Sequence, residues 1–173
     1  MRFIHYFIPV LVLFVLSSCG KEDTQPVGNG IEGEWQLTAI EYKETETSQS
    51  DGQNIVSENH GTGTDMDLHL SILEDPDVLS TEGEYWIDLT TSFFGQPVVS
   101  RVPDNGFFPS SGSWQFTDGT LTVVPEAGST KVLEVQEVNT KRLILTLEES
   151  FAFNGTEGTF LKTRTGTYTF ERR

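Results

Sequence analysis

One thiol, three imidazoles and twenty-six carboxylates are the groups in this chain that chemistry could use, and their spacing argues against most of it. Asp65, Asp67 and His69 would share one face of a strand, with His60 close by. Same-face neighbours on a strand stand about 7 Å apart, too far to converge on a zinc ion with ligand bonds of about 2.1 Å. The solvated face of a strand accounts for them, and no metal is expected. Glu74-Asp75-Pro76-Asp77 reads as a turn and lacks the ligand spacing and glycine of a calcium loop. Glu148 and Glu149 fall on opposite faces of a strand, so they cannot flank one glycosidic bond. The serines have only His5, His60 and His69 as possible bases, and no nucleophile elbow or phosphate loop is present. An enzyme is not expected, nor is a cofactor.

The thiol, Cys19, stands in a context of its own. Arg2, an apolar run from Phe7 to Leu16 and the small residues Ser17-Ser18 precede it, the pattern of a secretory signal peptide. The run is shorter than the ~20 residues that span a bilayer. Leu16-Ser17-Ser18-Cys19 resembles a bacterial lipobox. That resemblance implies removal of residues 1–18, acylation of Cys19 with palmitate-type chains, and a lipid anchor in the outer membrane as the chain's membrane partner. Residues 19–32 read as a flexible tether broken by Pro26, Gly28 and Gly30. Lys21-Glu22-Asp23 resembles the Lys-acidic-acidic export signal of Bacteroidetes surface lipoproteins and implies display on the cell surface, with the periplasmic face as the alternative.

About 155 residues would remain after cleavage, enough for one domain with a core of its own. No second cysteine is available for a disulfide, so packing must hold the fold. The formal charge of −15 excludes a nucleic-acid partner, whose binding needs Lys and Arg to displace counterions. It serves solubility and self-repulsion, and a monomer is expected.

The elements that would carry any site are strands. Met66, Leu68, Leu70 and Ile72 alternate with Asp65, Asp67, His69 and Ser71. Tyr85, Ile87 and Leu89 alternate with Trp86, Asp88 and Thr90, and Leu143, Leu145 and Leu147 with Ile144, Thr146 and Glu148. This is the period of half-buried antiparallel strands. Eight are predicted, over 33–44, 65–74, 83–92, 112–117, 120–125, 130–138, 141–149 and 165–172, with Asp118-Gly119 as a tight hairpin. Eight hairpin-linked strands close into an up-and-down antiparallel barrel over 33–173. Alternate loops share an end, so the long loops 45–64, 93–111 and 150–164 gather at one mouth. The short turns and both ends of the barrel chain lie at the base.

Gly33-Glu34-Trp35 at the start of the first strand resembles the Gly-x-Trp signature of lipocalin-like proteins. Ser113-Trp114-Gln115-Phe116-Thr117-Asp118-Gly119, with Leu143 to Leu147, resembles the middle of the lipocalin-like lipoproteins of Bacteroidetes. The resemblance covers roughly 33–172. It implies a calycin barrel in which Arg172 or Arg173 packs on Trp35 as a cation–π pair. The helix that lipocalins carry after the last strand has no counterpart before Arg173, so the resemblance speaks to fold more than to ligand.

Phenylalanine placement carries the functional expectation. Phe93, Phe94, Phe107, Phe108, Phe151, Phe153 and Phe160 all fall in or beside the mouth loops. They would either line a site for a small apolar or aromatic-stacking ligand, sugar or lipid, or pack on one another and plug the mouth. Inward residues such as Trp35, Leu37, Met66, Leu68, Leu70, Tyr85, Leu89, Trp114 and Leu145 are bulky, so at most a shallow pocket is expected there. A ligand-binding lipoprotein is one reading. A non-enzymatic accessory lipoprotein that touches a partner protein or glycan is the other.

Overall fold

The computed structural model describes residues 30–50, 53–93, 96–103, 107–155 and 158–173. Cys19, Lys21, Glu22, Asp23 and Phe94 lie outside them. The described elements are all strands: β1 (Gly33–Ser50), β2 (Gln53–Thr64), β3 (His69–Glu74), β4 (Asp77–Glu82), β5 (Trp86–Phe93), β6 (Gln96–Pro103), β7 (Ser111–Thr117), β8 (Thr120–Val124), β9 (Lys131–Val138), β10 (Arg142–Gly155) and β11 (Gly158–Arg172). Eight of them, in the order β1-β3-β4-β7-β8-β9-β10-β11, close into an antiparallel barrel through the pairing of β11 with β1. The other three continue from β1 in the order β2-β5-β6.

The expected eight-stranded up-and-down barrel is therefore present, but its walls are not all the segments that alternation marked. Residues 86–92 of the segment 83–92 belong to β5, outside the barrel, while β4, predicted as a loop, is a wall. The predicted loops 45–64, 93–111 and 150–164 contain β2, β6 and the far halves of β1, β10 and β11. Thr-rich stretches such as Thr45 to Ser50 and Ser57 to Thr64 suit a strand, but they lack the apolar alternation by which a strand is recognised in sequence.

The reason for the split is visible at the waist. β2 and β3 run in the same direction and are broken at residues 65–68, where Asp65 adopts a left-handed φ of 47°. β4 and β5 are broken likewise at Gly83, with φ 93°. A Cβ there would stand 1.8 Å from the Asp67 carbonyl oxygen, so only glycine fits the crossing. Below the waist eight short strands form the barrel. Above it β10, β11, β1, β2, β5 and β6 form an open sheet that rises from one side of the mouth. The Asp118-Gly119 turn, the tight hairpin that the sequence predicts, has φ of 51° and 78°, as in a type I′ turn.

The barrel is filled. Trp35, Leu37, Leu70, Ile72, Leu79, Tyr85, Leu121, Leu133, Leu143, Tyr168 and Phe170 are fully buried inside it. At the base Arg172 lies over the Trp35 ring at 4.1 Å and donates to the carbonyls of Glu32 and Gly30. Trp35 Nε1 donates to the Ile31 carbonyl at 3.0 Å. Ile31, read from sequence as tether, is buried in the core. The base is thus closed by the residues that lead into β1.

Trp35→Ala should lower stability by about 3–5 kcal/mol. Arg172→Ala should lower it by about 1–2 kcal/mol, since it loses one cation–π contact and two hydrogen bonds. Urea unfolding measures both, and equal midpoints for the two variants would count against this packing.

Candidate functional site

The period that buries Leu143, Leu145 and Leu147 continues up β10 to Glu149, Phe151 and Phe153. On β11 the inward positions run from Phe170 and Tyr168 through Gly166 to Arg164, Lys162 and Phe160. On β1 they reach Tyr42 and Glu44, and on β2 Asn59. One rung above the core, four neighbouring strands therefore present Glu149, Arg164, Glu44 and Asn59 side by side. Charged side chains alternate in sign across a surface that is apolar just below.

Hydrogen bonds link the row. Arg164 Nη2 donates to Glu149 Oε2 at 2.8 Å, and Lys131 also pairs with Glu149. Lys162 Nζ lies 2.8 Å from Glu44 Oε1, which also accepts from Asn59 Nδ2 at 3.3 Å. Tyr42 donates its phenol hydrogen to Glu44 Oε2 at 2.8 Å. Glu44 is only 7% exposed. Burial pushes its carboxyl up, but the hydrogen bonds from Lys162, Tyr42 and Asn59 and the charge of Lys162 outweigh burial, and the group ends below the ordinary carboxylate range. Burial, then the bond to Glu44, holds the Tyr42 phenol well above its usual value, so it stays a neutral donor. Two buried atoms of this row have no hydrogen-bond partner: Arg164 Nε and Asn59 Oδ1.

Aromatic rings enclose the row from below and from one side. Phe107 and Phe108 are 4% and 3% exposed. Phe108 lies on Tyr168 at 4.6 Å and Phe170 at 5.7 Å, and Phe107 meets Tyr42 edge-on at 5.9 Å. The pair plugs the barrel below its mouth. Gly166 makes room for it, because a Cβ there would lie 2.8 Å from Phe107 Cε1. The Arg164 guanidinium sits between Phe107 and Phe151, 4.7 and 4.6 Å from their centroids. Phe151 is half-buried and stacks near-parallel with Phe153, which is 59% exposed; Phe160, opposite Phe153, is half-buried. Phe93 belongs to β5 in its backbone, and its side chain lies outside the described residues, as does Phe94. The phenylalanines thus divide: two form a plug, three climb the rim.

Between the plug and the open sheet lies a cavity of about 200 Å³, lined by Tyr42, Glu44, Ile87, Leu89, Val102, Pro103, Phe107, Lys162 and Arg164. A larger groove of about 630 Å³ at the base is walled by the β9–β10 turn and the end of β11. It is open, its walls are polar or charged, and Arg172 within it is already committed to Trp35. The mouth cavity, with one apolar and one charged wall, is the candidate site. Glu149 is the last residue of the predicted strand 141–149, while Lys162 and Arg164 fall in the predicted loop 150–164. Extending the period of two back from Phe170 and Tyr168 reaches both. Among the described residues no group of three His, Cys, Asp or Glu side chains could hold a metal ion. His69 stands 3.5 Å from Asp67, which is not in a strand.

A carboxyl held below its ordinary range contributes stability in full above its unfolded pKa of about 4.3 and loses it as pH falls through the folded value. Glu44→Gln should therefore be less stable than the parent at pH 6, by about 1–3 kcal/mol. The gap should narrow as pH falls below the unfolded value of about 4.3. Denaturant midpoints across that window measure it, and a constant gap would show that the Glu44 carboxylate is not held by its neighbours. Compared with family models, with curated proteins and with solved structures, the chain matches none.

Proposed function

We propose that this chain is a lipid-anchored, lipocalin-like binding module, not an enzyme, that holds a small ligand with an apolar body in the mouth cavity. The cavity itself carries the reading. Ile87, Leu89, Val102 and Phe107 give it an apolar wall, and Glu44, Lys162 and Arg164 give it a polar one. A largely apolar pocket with a few convergent polar groups is the usual form of a small-molecule site. Its volume lies below the ~300–1,000 Å³ of drug-sized pockets, so the ligand is small or inserts one end. The plug of Phe107 and Phe108 keeps it at the mouth.

Energetics supports the same reading. Buried ion pairs return little stability, because desolvation offsets their attraction, and apolar replacements of like volume are often neutral or better by about 1–4 kcal/mol. The collar of five charges at Lys131, Glu149, Arg164, Glu44 and Lys162 is therefore a poor device for holding the sheet together. Charged groups so placed cluster at sites that meet a polar partner.

Acylation of Cys19 would anchor the chain in the outer membrane, on the cell surface or the periplasmic face. Gly30 and Arg173 lie at the base, so a tether leaving from there would leave the mouth free. A second reading, contact with a partner protein or glycan, is favoured by Ile55, Val56, Val98, Val99, Phe153 and Leu161, all exposed in the open sheet.

Small neutral aromatics such as indole should bind saturably. Leu89→Trp, which fills the cavity, should abolish binding, while Val124→Trp on the exposed outer wall should leave it unchanged. Binding that survives Leu89→Trp would place the site elsewhere. Cys19→Ala should move the protein from the membrane to the soluble fraction, since stable anchoring needs more than one acyl chain and all of them depend on this residue. Unchanged fractionation would defeat the anchor.

A further inference from the structure

The cavity wall is unequal in its hydrogen-bonding groups, and that inequality names the chemistry of the ligand. Glu44 is the one carboxylate on the wall, and its two oxygens already accept from Lys162, Tyr42 and Asn59. Asn59 Oδ1, the other buried acceptor in the row, has no partner but is not on the wall. Glu46 faces Lys162 across β1 and β11, one rung toward the rim and likewise off the wall. The donors are in surplus. Lys162 carries three N–H groups and makes one ion pair, to Glu44. Arg164 carries five: Nη2 goes to Glu149, the guanidinium also meets the Tyr42 phenol, and Nε is buried and closed to the cavity, so what it offers a ligand is its remaining Nη hydrogens. Counting charge on the wall, two cations face one carboxylate.

We infer, resting on the binding function proposed above, that the cavity selects an anion: a small carboxylic acid on the order of ten non-hydrogen atoms, given a volume equal to about seven waters. Its carboxylate accepts from Lys162 and Arg164, and its apolar body lies on Ile87, Leu89, Val102 and Phe107. A cationic ligand would find only Glu44, which is already engaged, and would meet two like charges. An uncharged ligand would leave the surplus donors without acceptors in a site partly closed to water, which is costly. In a chain of net charge −15, long-range attraction does not bring an anion here. The local donors must hold it.

A series with one carbon skeleton tests this: 3-phenylpropionate, 3-phenylpropanol and 3-phenylpropylamine, titrated calorimetrically into the full-length chain. The acid should bind at least about tenfold more tightly than the alcohol, as expected for hydrogen bonds to a charged acceptor, and the amine most weakly. Lys162→Met should remove most of the advantage of the acid and leave the affinity of the alcohol within about twofold. Lys162→Arg should keep that advantage. The series on the unmodified chain decides the ligand class even if Lys162→Met fails to fold. Equal affinities across it, or a preference for the amine, would overturn the inference while leaving the binding function standing. No binding of any member would overturn both.

Discussion

A single extra residue in β1 decides which side chains reach the mouth. Leu37 pairs with Phe170 of β11 and Ala39 with Thr169, so Thr38 is a bulge. Before it the odd positions Trp35 and Leu37 are buried; after it the even positions Ile40 and Glu44 are. A shift of one residue exchanges the two faces of a strand. Without the bulge, Glu41 and Lys43 would turn inward and Glu44 would face solvent. The bulge also stands where β1 changes partners: Gly33–Gln36 pair with β3, and Glu41–Ser50 pair with β2. In the gap between them the Leu37 amide donates to the Leu68 carbonyl at 2.9 Å, and the Gln36 side chain reaches the same oxygen. Backbone groups at the switch therefore stay paired, as buried ones must.

That switch divides the molecule into a closed lower half and an open upper half, and the upper half has the problem that barrels avoid. β6 is a free edge, with Val98 and Val99 more than half exposed. Its prolines limit what can pair with it. Pro97 and Pro103 lie in the ladder opposite Ser92 and Trp86. A proline has no N–H to give, so both pairs are of the non-hydrogen-bonded kind, and their free backbone groups point away from β5. By the same alternation Val99 and Arg101 also point outward. Two of the four outward donors are thus missing from the edge. Arg101 is held on the sheet by Asp88 and Asp65 at 3.1 and 2.8 Å. An edge treated in this way resists adding a strand, so the rim can carry apolar side chains without templating aggregation.

The barrel was legible in the sequence because its inner face is a simple code. Where Leu143, Leu145 and Leu147 alternate with polar residues, or where Asp118-Gly119 sets a left-handed turn, local chemistry and tertiary structure ask for the same thing. The parity of the loops placed both ends of the barrel correctly at the base for the same reason. Two things were hidden. Strands polar on both faces, such as β2 and the far half of β1, bury too little apolar surface to show a period, and their pairing comes from neighbours far along the chain. The partner switches at Thr38, Asp65 and Gly83 depend on which strand lies alongside, which no local pattern states. The charged row fell at the meeting of both: Glu149, Arg164 and Glu44 are ordinary polar residues in sequence and become neighbours only through the register of β10, β11 and β1.

Arg164 is where the two halves meet, and its chemistry explains why the joint is an arginine. A flat guanidinium stacks on rings with both faces while its edge still donates in plane, which an ammonium cannot do. Here the guanidinium lies over the rings of Phe107 and Phe151, and Glu149 takes part of its edge. Freezing so long a side chain costs up to about 2 kcal/mol of rotamer entropy, and that cost is met when the chain folds. Lys162 is different: it is held by one ion pair and its side chain is 32% exposed. The same wall therefore joins a cation fixed by packing to one that can turn. For the anion proposed above, the fixed group would set where its carboxylate sits, and the movable one would adapt to it at the expense of a single contact with Glu44. Glu44 can release that contact because Tyr42 and Asn59 remain as donors to its carboxylate.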